Sequence, residues 1–138
     1  MTTGQRNVET LRAIYKDLTR IAEFADDDIV LHKADQSASP LTVIGKQAVY
    51  RHEVNLIALT HASLCMDVQE VIANDYFGAV LGTLRAGTAD KRIGMPFCGL
   101  WRFREGKVIE HWENAYDARA LGGFLRGNDV QAARWLCS

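Results

Sequence analysis

Histidine and carboxylate side chains carry most of the chemistry this sequence can offer. The four histidines, His32, His52, His61 and His111, stand far apart in the chain. An imidazole titrates near ~6.5, so it serves as acid or base wherever it faces a cavity. His32 ends the short apolar run Ile29-Val30-Leu31 and is a candidate for that work, against the plainer reading of a core histidine bonded to backbone. His52 lies on the stripe Val49, His52, Glu53, Leu56, Ile57 of a helical segment and is a further candidate, whereas His61 and His111 read as exposed or at a subunit contact. Asp117 follows the last strand-like run, where an aspartate either caps the next helix or turns inward as an acid/base group. Tyr15 falls on the apolar face of the first helical segment. A buried phenol needs a hydrogen-bond partner, and a ligand oxygen can supply it.

Other chemistries find less support. A metal centre needs three or four convergent ligands. His32, Asp35 and His52 could converge, but nothing in their spacing demands it, so neither metal nor cofactor is expected. Cys65, Cys98 and Cys137 form no CxxC pair, which removes the zinc knuckle and the redox dithiol. Gly122-Gly123 follows the last strand instead of opening a helix after one, so it reads as flexibility and not as a phosphate loop. A net charge of −1 without a basic cluster argues against a nucleic-acid or membrane surface. The odd cysteine count and the start Met-Thr-Thr-Gly-Gln-Arg, with no apolar run behind it, point to a cytoplasmic protein without signal peptide or membrane span. At 138 residues, 48% apolar and 24% charged, residues 1–138 read as one globular domain.

These side chains need a scaffold. Val8, Leu11, Ile14, Tyr15, Leu18, Ile21 and Ala22 recur at steps of three and four, which predicts a helix over about 6–23. Asp26-Asp27-Asp28 ends it and a short strand over 29–32 follows. Residues 35–40 have turn chemistry, and a second helix runs over about 46–59. Strands follow over 63–72, 76–85, 92–104 and 107–116, then a short helix after Asp117 and a further helical turn over 128–135. Helices followed by a meander of strands define an α+β fold with an antiparallel sheet.

The Glu105-Gly106 turn sets a register. With Arg104 opposite Lys107, Phe103 faces Val108, Trp101 faces Glu110, Gly99 faces Trp112 and Phe97 faces Asn114. This aromatic side is expected to be concave and to face the helices, with the Trp112 indole lying over Gly99. Trp112, Asn114, Trp101, Phe97, His52 and Glu110 then line an apolar pocket with a few polar groups, the composition of a small-molecule site. Leu100, Cys98, Arg102, Ile109, His111 and Glu113 are expected on the convex side.

The segment Pro-Phe-Cys-Gly-Leu-Trp-Arg-Phe-Arg-Glu-Gly-Lys-Val-Ile-Glu-His-Trp-Glu-Asn-Ala-Tyr-Asp, residues 96 to 117, resembles the last hairpin of the nuclear transport factor 2-like superfamily, above all its SnoaL-like polyketide cyclase branch. Phe-Ala-Asp-Asp-Asp-Ile-Val-Leu-His at 24 to 32 and Ile-Gly-Lys-Gln-Ala-Val at 44 to 49 agree with it. The resemblance implies a cone: a bent sheet wrapped around N-terminal helices, as in the cystatin-like α+β barrel. It places Asp117 where the cyclases carry an acid/base aspartate, Tyr15 near the oxyanion-donating tyrosine of ketosteroid isomerase, and His32 at that isomerase's general base. Gly99 stands near the isomerase's protonated aspartate, and Trp101 and Phe103 stand where the cyclases have a histidine. The implied function is a cofactor-independent acid/base enzyme that cyclises, isomerises or dehydrates a small apolar, polyketide-like carbonyl compound. The alternatives are a non-catalytic binder of an apolar organic ligand and a dimeric assembly module. A homodimer through the convex face is expected in either case.

Overall fold

In the computed structural model, residues 1–35 and 40–127 are described. The helical turn expected over 128–135 and most of the expected 35–40 loop lie outside them. The chain runs α1 (Thr3–Lys16), a 3-10 turn (Leu18–Arg20), α2 (Ile21–Phe24), β1 (Ala25–His32), β2 (Thr42–Ile44), α3 (Lys46–Leu59), β3 (Cys65–Ala73), β4 (Phe77–Gly87), β5 (Arg92–Arg104), β6 (Lys107–Trp112) and α4 (Ala118–Gly127). The expected α+β class holds, with a six-stranded curved sheet in the order β2-β1-β6-β5-β4-β3. The sheet is mixed, not wholly antiparallel, because β1 runs parallel to β6. Parallel neighbours need a long crossover, and all the elements between β1 and β6 supply it.

The single helix expected over 6–23 is broken at Asp17. Thr2 opens α1 with a capping box, its hydroxyl accepting from Gln5 N at 3.1 Å while Gln5 Oε1 accepts from Thr2 N at 2.7 Å. Asp17 leaves helical geometry at φ −151° and ψ 101°, and its carboxylate accepts from Thr19 N to start the next turn. The apolar period survives the break, which is why the pattern alone reads as one helix. Ala25–Asp28 extend β1 instead of ending a helix.

Leu11, Ile14 and Tyr15 of α1 and Val49 of α3 meet Ile29, Leu31, Val80, Trp101, Phe103 and Val108 of the sheet in one core. Full burial of such a side chain stabilises by roughly 1.5–3 kcal/mol. Leu11, with no exposed surface, would lose about 2–5 kcal/mol on truncation to alanine. Asn7 fastens α1 to the β3–β4 turn by donating Nδ2–H to the Asn74 carbonyl at 3.0 Å.

The β5–β6 turn forms at Glu105-Gly106 as expected, with positive φ of 51° and 80°. Arg104 opposes Lys107 and Phe103 opposes Val108. The register then shifts: Arg102 opposes Glu110, Trp101 opposes His111 and Leu100 opposes Trp112. Ile109 is the extra residue of a bulge. Because side chains alternate with period two, one extra residue exchanges the faces of everything beyond it.

Candidate functional site

The bulge decides what the cone holds. Phe97, Gly99 and Trp101 face inward as expected, and His111 and Glu113 join them. Trp112 and Glu110, expected inside, lie on the outer face beside His32. There the His32 Nε2 stands 2.7 Å from Glu110 Oε2, the His32 ring stacks on Trp112 at 5.3 Å, and Arg102 approaches Glu110 at 3.5 Å. Parallel pairing of His32 with Trp112 and of Val30 with Glu110 puts all four on one side. His32 is therefore an outer-face residue and does not reach the cavity. The indole expected over Gly99 is replaced by the Tyr15 hydroxyl.

Asp117 is exposed, and its Oδ1 accepts from Ala120 N at 3.0 Å, which caps α4. It does not line the cavity. Asn114 sits at the cavity rim with its Nδ2 committed to the Cys98 carbonyl at 2.9 Å, and Ala115, not Asn114, pairs with Phe97. Phe97, Trp101, His52 and Tyr15 do line the cavity.

The cavity holds about 250 Å³ between α1, α3, the sheet and α4. Leu18, Leu56, Leu59, Leu84 and Leu121 form apolar wall. Arg126 of α4 pairs with Asp35 at 2.7 Å, and both line the cavity. The Tyr15 ring stacks on Phe97 at 5.5 Å and meets Trp101 edge-on at 5.8 Å. Its hydroxyl accepts from Trp101 Nε1 at 3.3 Å. The phenol proton is thus left for another acceptor. Burial holds Tyr15 well above the usual phenol range, with the Trp101 hydrogen bond opposing and the charges of Glu53 and Glu113 reinforcing. It stays a donor at any ordinary pH.

Three titratable groups gather opposite. His52 Nε2 lies 3.2 and 3.3 Å from the two oxygens of Glu113. Glu53 is 3% exposed, and its Oε2 has no hydrogen-bond partner. Burial pushes Glu53 well above the usual carboxylate range, and the charge of Glu113 adds to this. Burial also pushes Glu113 upward, but the hydrogen bond and charge of His52, the charge of His111 and the Ala34 amide outweigh it, so Glu113 is held below that range. The shifts run in opposite directions: the site favours the protonated form of Glu53 and the ionised form of Glu113.

His111 completes the set. Burial lowers its pKa to about 4, against the opposing pull of Glu113 and of the Leu100 carbonyl. The ring is neutral at pH 7. Its Nδ1 lies 2.9 Å from Leu100 O, an atom that only accepts, so the proton sits on Nδ1 and Nε2 is a lone-pair acceptor. The ring stacks on Trp101 at 3.5 Å. Among the described residues, the donor atoms of His52, Glu53 and Glu113 converge within 4.8 Å of one another. The set His32, Asp35, His52 does not converge, because His32 faces outward.

Glu53, His111 and Glu113 are the inward polar residues that the sequence reading missed. Glu53 carried a signal, since a carboxylate on an otherwise apolar helix stripe is the informative exception. His111 and Glu113 carried none that survives an unseen bulge.

A bent sheet closing on helices around an apolar cavity defines the nuclear transport factor 2-like and cystatin-like class of folds. The chain belongs to the SnoaL-like domain family, whose model matches residues 8–111. Among solved structures, Bal32a from a soil-derived mobile gene cassette superposes with a TM-score of 0.79 at 22% identity, covering 90% of this chain and 99% of that one. A putative SnoaL-like polyketide cyclase from Jannaschia sp. CCS1 gives 0.72 at 15% identity, covering 91% and 95%. TerC, co-crystallised with polyporic acid, gives 0.69 at 17% identity, covering 88% and 98%. No curated protein matches in sequence. Among the described residues no helix is long and apolar enough to cross a membrane.

Proposed function

We propose that this chain is a cofactor-independent acid/base enzyme acting on a small apolar carbonyl compound, with Glu113 as base, Glu53 as acid and Tyr15 as oxyanion donor. The observation that carries the reading is the pairing of a buried Glu53 with a partly buried Glu113, their carboxyls pushed in opposite directions, in the apolar cavity that also receives the Tyr15 hydroxyl. A substrate carbonyl accepts from Tyr15 O–H. The Glu113 carboxylate removes a proton alpha to that carbonyl, and the electron pair moves onto the oxygen as an enolate held by the phenol. Glu53 then supplies a proton. Delivered to another carbon, it completes an isomerisation; delivered to a departing beta-hydroxyl, it completes a dehydration; attack of the enolate carbon on a second carbonyl is a cyclisation. The likeness to a putative polyketide cyclase and to a protein crystallised with polyporic acid supports a polyketide-like aromatic or alicyclic substrate.

The test is alpha-proton exchange. A panel of aromatic ketones is incubated with the protein in deuterated water and followed by proton NMR. Deuterium wash-in by the native chain, reduced about 10²–10⁴-fold in Glu113→Gln, is the expected result. Saturable binding with no exchange would establish the non-catalytic binding protein instead.

The same proposal includes a cytoplasmic homodimer of one-domain chains, paired through the outer sheet face. That face exposes Ile72, Phe77, Leu81 and Leu100 at 40–59%, and a contiguous apolar patch of this kind marks an interaction surface. The assembly-module reading rests on this face alone and leaves the cavity groups without a use.

A further inference from the structure

The contact between His52 and Glu113 has unusual dimensions. A charge-assisted hydrogen bond normally closes to about 2.7–2.9 Å on one oxygen. His32 and Glu110 do so on the outer face, at 2.7 Å. His52 Nε2 instead stands off both Glu113 oxygens almost equally, at 3.2 and 3.3 Å. That spacing makes a long hydrogen bond, and it is also the spacing of two ligands on one ion. Metal–donor bonds of about 2.0–2.1 Å in a tetrahedral arrangement set neighbouring donors about 3.3–3.4 Å apart.

The third donor is independent of that pair. Glu53 Oε2 is buried without any partner, and its residue is 3% exposed. One carboxylate oxygen of Glu53 lies within 4.8 Å of the other two donors. A buried, unmatched carboxylate oxygen is costly unless something pairs with it.

We propose that His52, Glu53 and Glu113 form a binding site for one divalent first-row transition cation, of the Zn²⁺ or Mn²⁺ kind. Two carboxylates and one neutral imidazole balance a double positive charge, so the site is neutral when filled. One nitrogen among the donors favours transition ions over Mg²⁺ and Ca²⁺, which prefer all-oxygen shells. Adjacent helix positions hold two of the donors, and the chain leaving β6 holds the third. The remaining coordination position opens on the cavity that all three residues line, so it takes a water or a ligand oxygen. A filled site holds Glu53 and Glu113 as ligands, so it is an alternative to their roles as acid and base; the metal titration uses no organic ligand, so each reading is tested on its own.

The experiment is isothermal titration of the full chain, stripped with a chelator, using Zn²⁺ and Mn²⁺, with Mg²⁺ as the contrasting probe and circular dichroism as the folding control. One Zn²⁺ per chain at micromolar or tighter affinity is expected, with Mg²⁺ at least a hundredfold weaker. Glu53→Gln and His52→Asn should each weaken Zn²⁺ at least tenfold. Glu53→Gln keeps the side-chain shape, so the test stands even where the His52 variant fails to fold. Absence of saturable Zn²⁺ binding by the native chain overturns the proposal. So does wild-type affinity in any folded variant, because the ion then sits elsewhere, on surface thiols or imidazoles.

Discussion

Replacing Gly99 by alanine tests the placement of Tyr15 more sharply than removing the phenol does. A Cβ at Gly99 would stand 2.0 Å from the Tyr15 hydroxyl oxygen, 3.3 Å from its Cζ and 3.1 Å from Trp101 Nε1. To regain 3.4 Å, the near edge of ordinary contact, the oxygen must retreat by about 1.4 Å. The ring cannot simply slide away, because it is stacked on Phe97. The added methyl also pushes on both atoms of the Tyr15–Trp101 hydrogen bond. Overpacking of this kind costs roughly 1–3 kcal/mol, and each kcal/mol moves the melting temperature by roughly 2–8 °C in a chain of this size class. A displacement of about 1 Å at an oxyanion donor costs on the order of 10²-fold in rate. Gly99→Ala is therefore expected to lower both the melting temperature and the alpha-exchange rate. The double variant Tyr15→Phe with Gly99→Ala deletes the atom that clashes. It should recover most of the lost stability relative to Gly99→Ala while the rate stays low, a non-additivity of the kind a double-mutant cycle measures. A Gly99→Ala chain with native melting temperature and native exchange would show that Tyr15 Oη does not lie over the strand, and the oxyanion role would go with it.

Other perturbations separate the remaining roles. Glu53→Gln keeps a neutral side chain of the same shape, so stability should change little while a complete turnover slows at proton return; equal turnover by product chromatography would remove Glu53 as the acid. The pKa of His111 falls from 6.5 unfolded to about 4 folded, so the unfolded chain binds the extra proton between those values. The stabilisation is complete above pH 6.5 and is lost as the pH falls toward 4, by about 3 kcal/mol in all. Urea melts at pH 7 and pH 4.5 measure the loss, and a His111→Asn chain with an unchanged slope over that window would acquit His111. Leu100→Glu places a charge in the outer apolar patch and should convert a dimer to single chains in light scattering; a native protein that already scatters as one chain would refute the outer-face dimer. Asp117→Ala should cost about 0.5–2 kcal/mol as a lost helix cap and leave exchange intact, whereas a large loss of exchange at unchanged stability would return Asp117 to the reaction.

How much of this was legible in the sequence turns on one residue. The β5–β6 turn was readable because turn chemistry is local: Glu105 and Gly106 both take positive φ, and the first two pairs beyond the turn follow at once. The bulge at Ile109 left no comparable mark. Val108 and Ile109 are both apolar β-branched residues, and either can face a core, so nothing in composition tells which of them is counted twice. Phe97, Gly99, Trp101 and Phe103 of β5 face inward as the turn implies, and β5 runs unbroken against β4 through eleven pairs from Phe77↔Arg102 to Gly87↔Arg92. Every residue of β6 beyond the bulge was placed on the wrong face. The cost fell wholly on chemistry: Trp112 and Glu110 were exchanged for His111 and Glu113. Glu53 faces the core from the helix stripe, and a buried carboxylate there calls for polar company from the facing strand. The unbulged register offers it Glu110 and Asn114, which sets one carboxylate against another. With one residue inserted, the same strand turns His111 and Glu113 inward, and His52 on the neighbouring helix position meets Glu113. The sequence alone does not choose between the two registers, because each sets a strand carboxylate, Glu110 or Glu113, against Glu53.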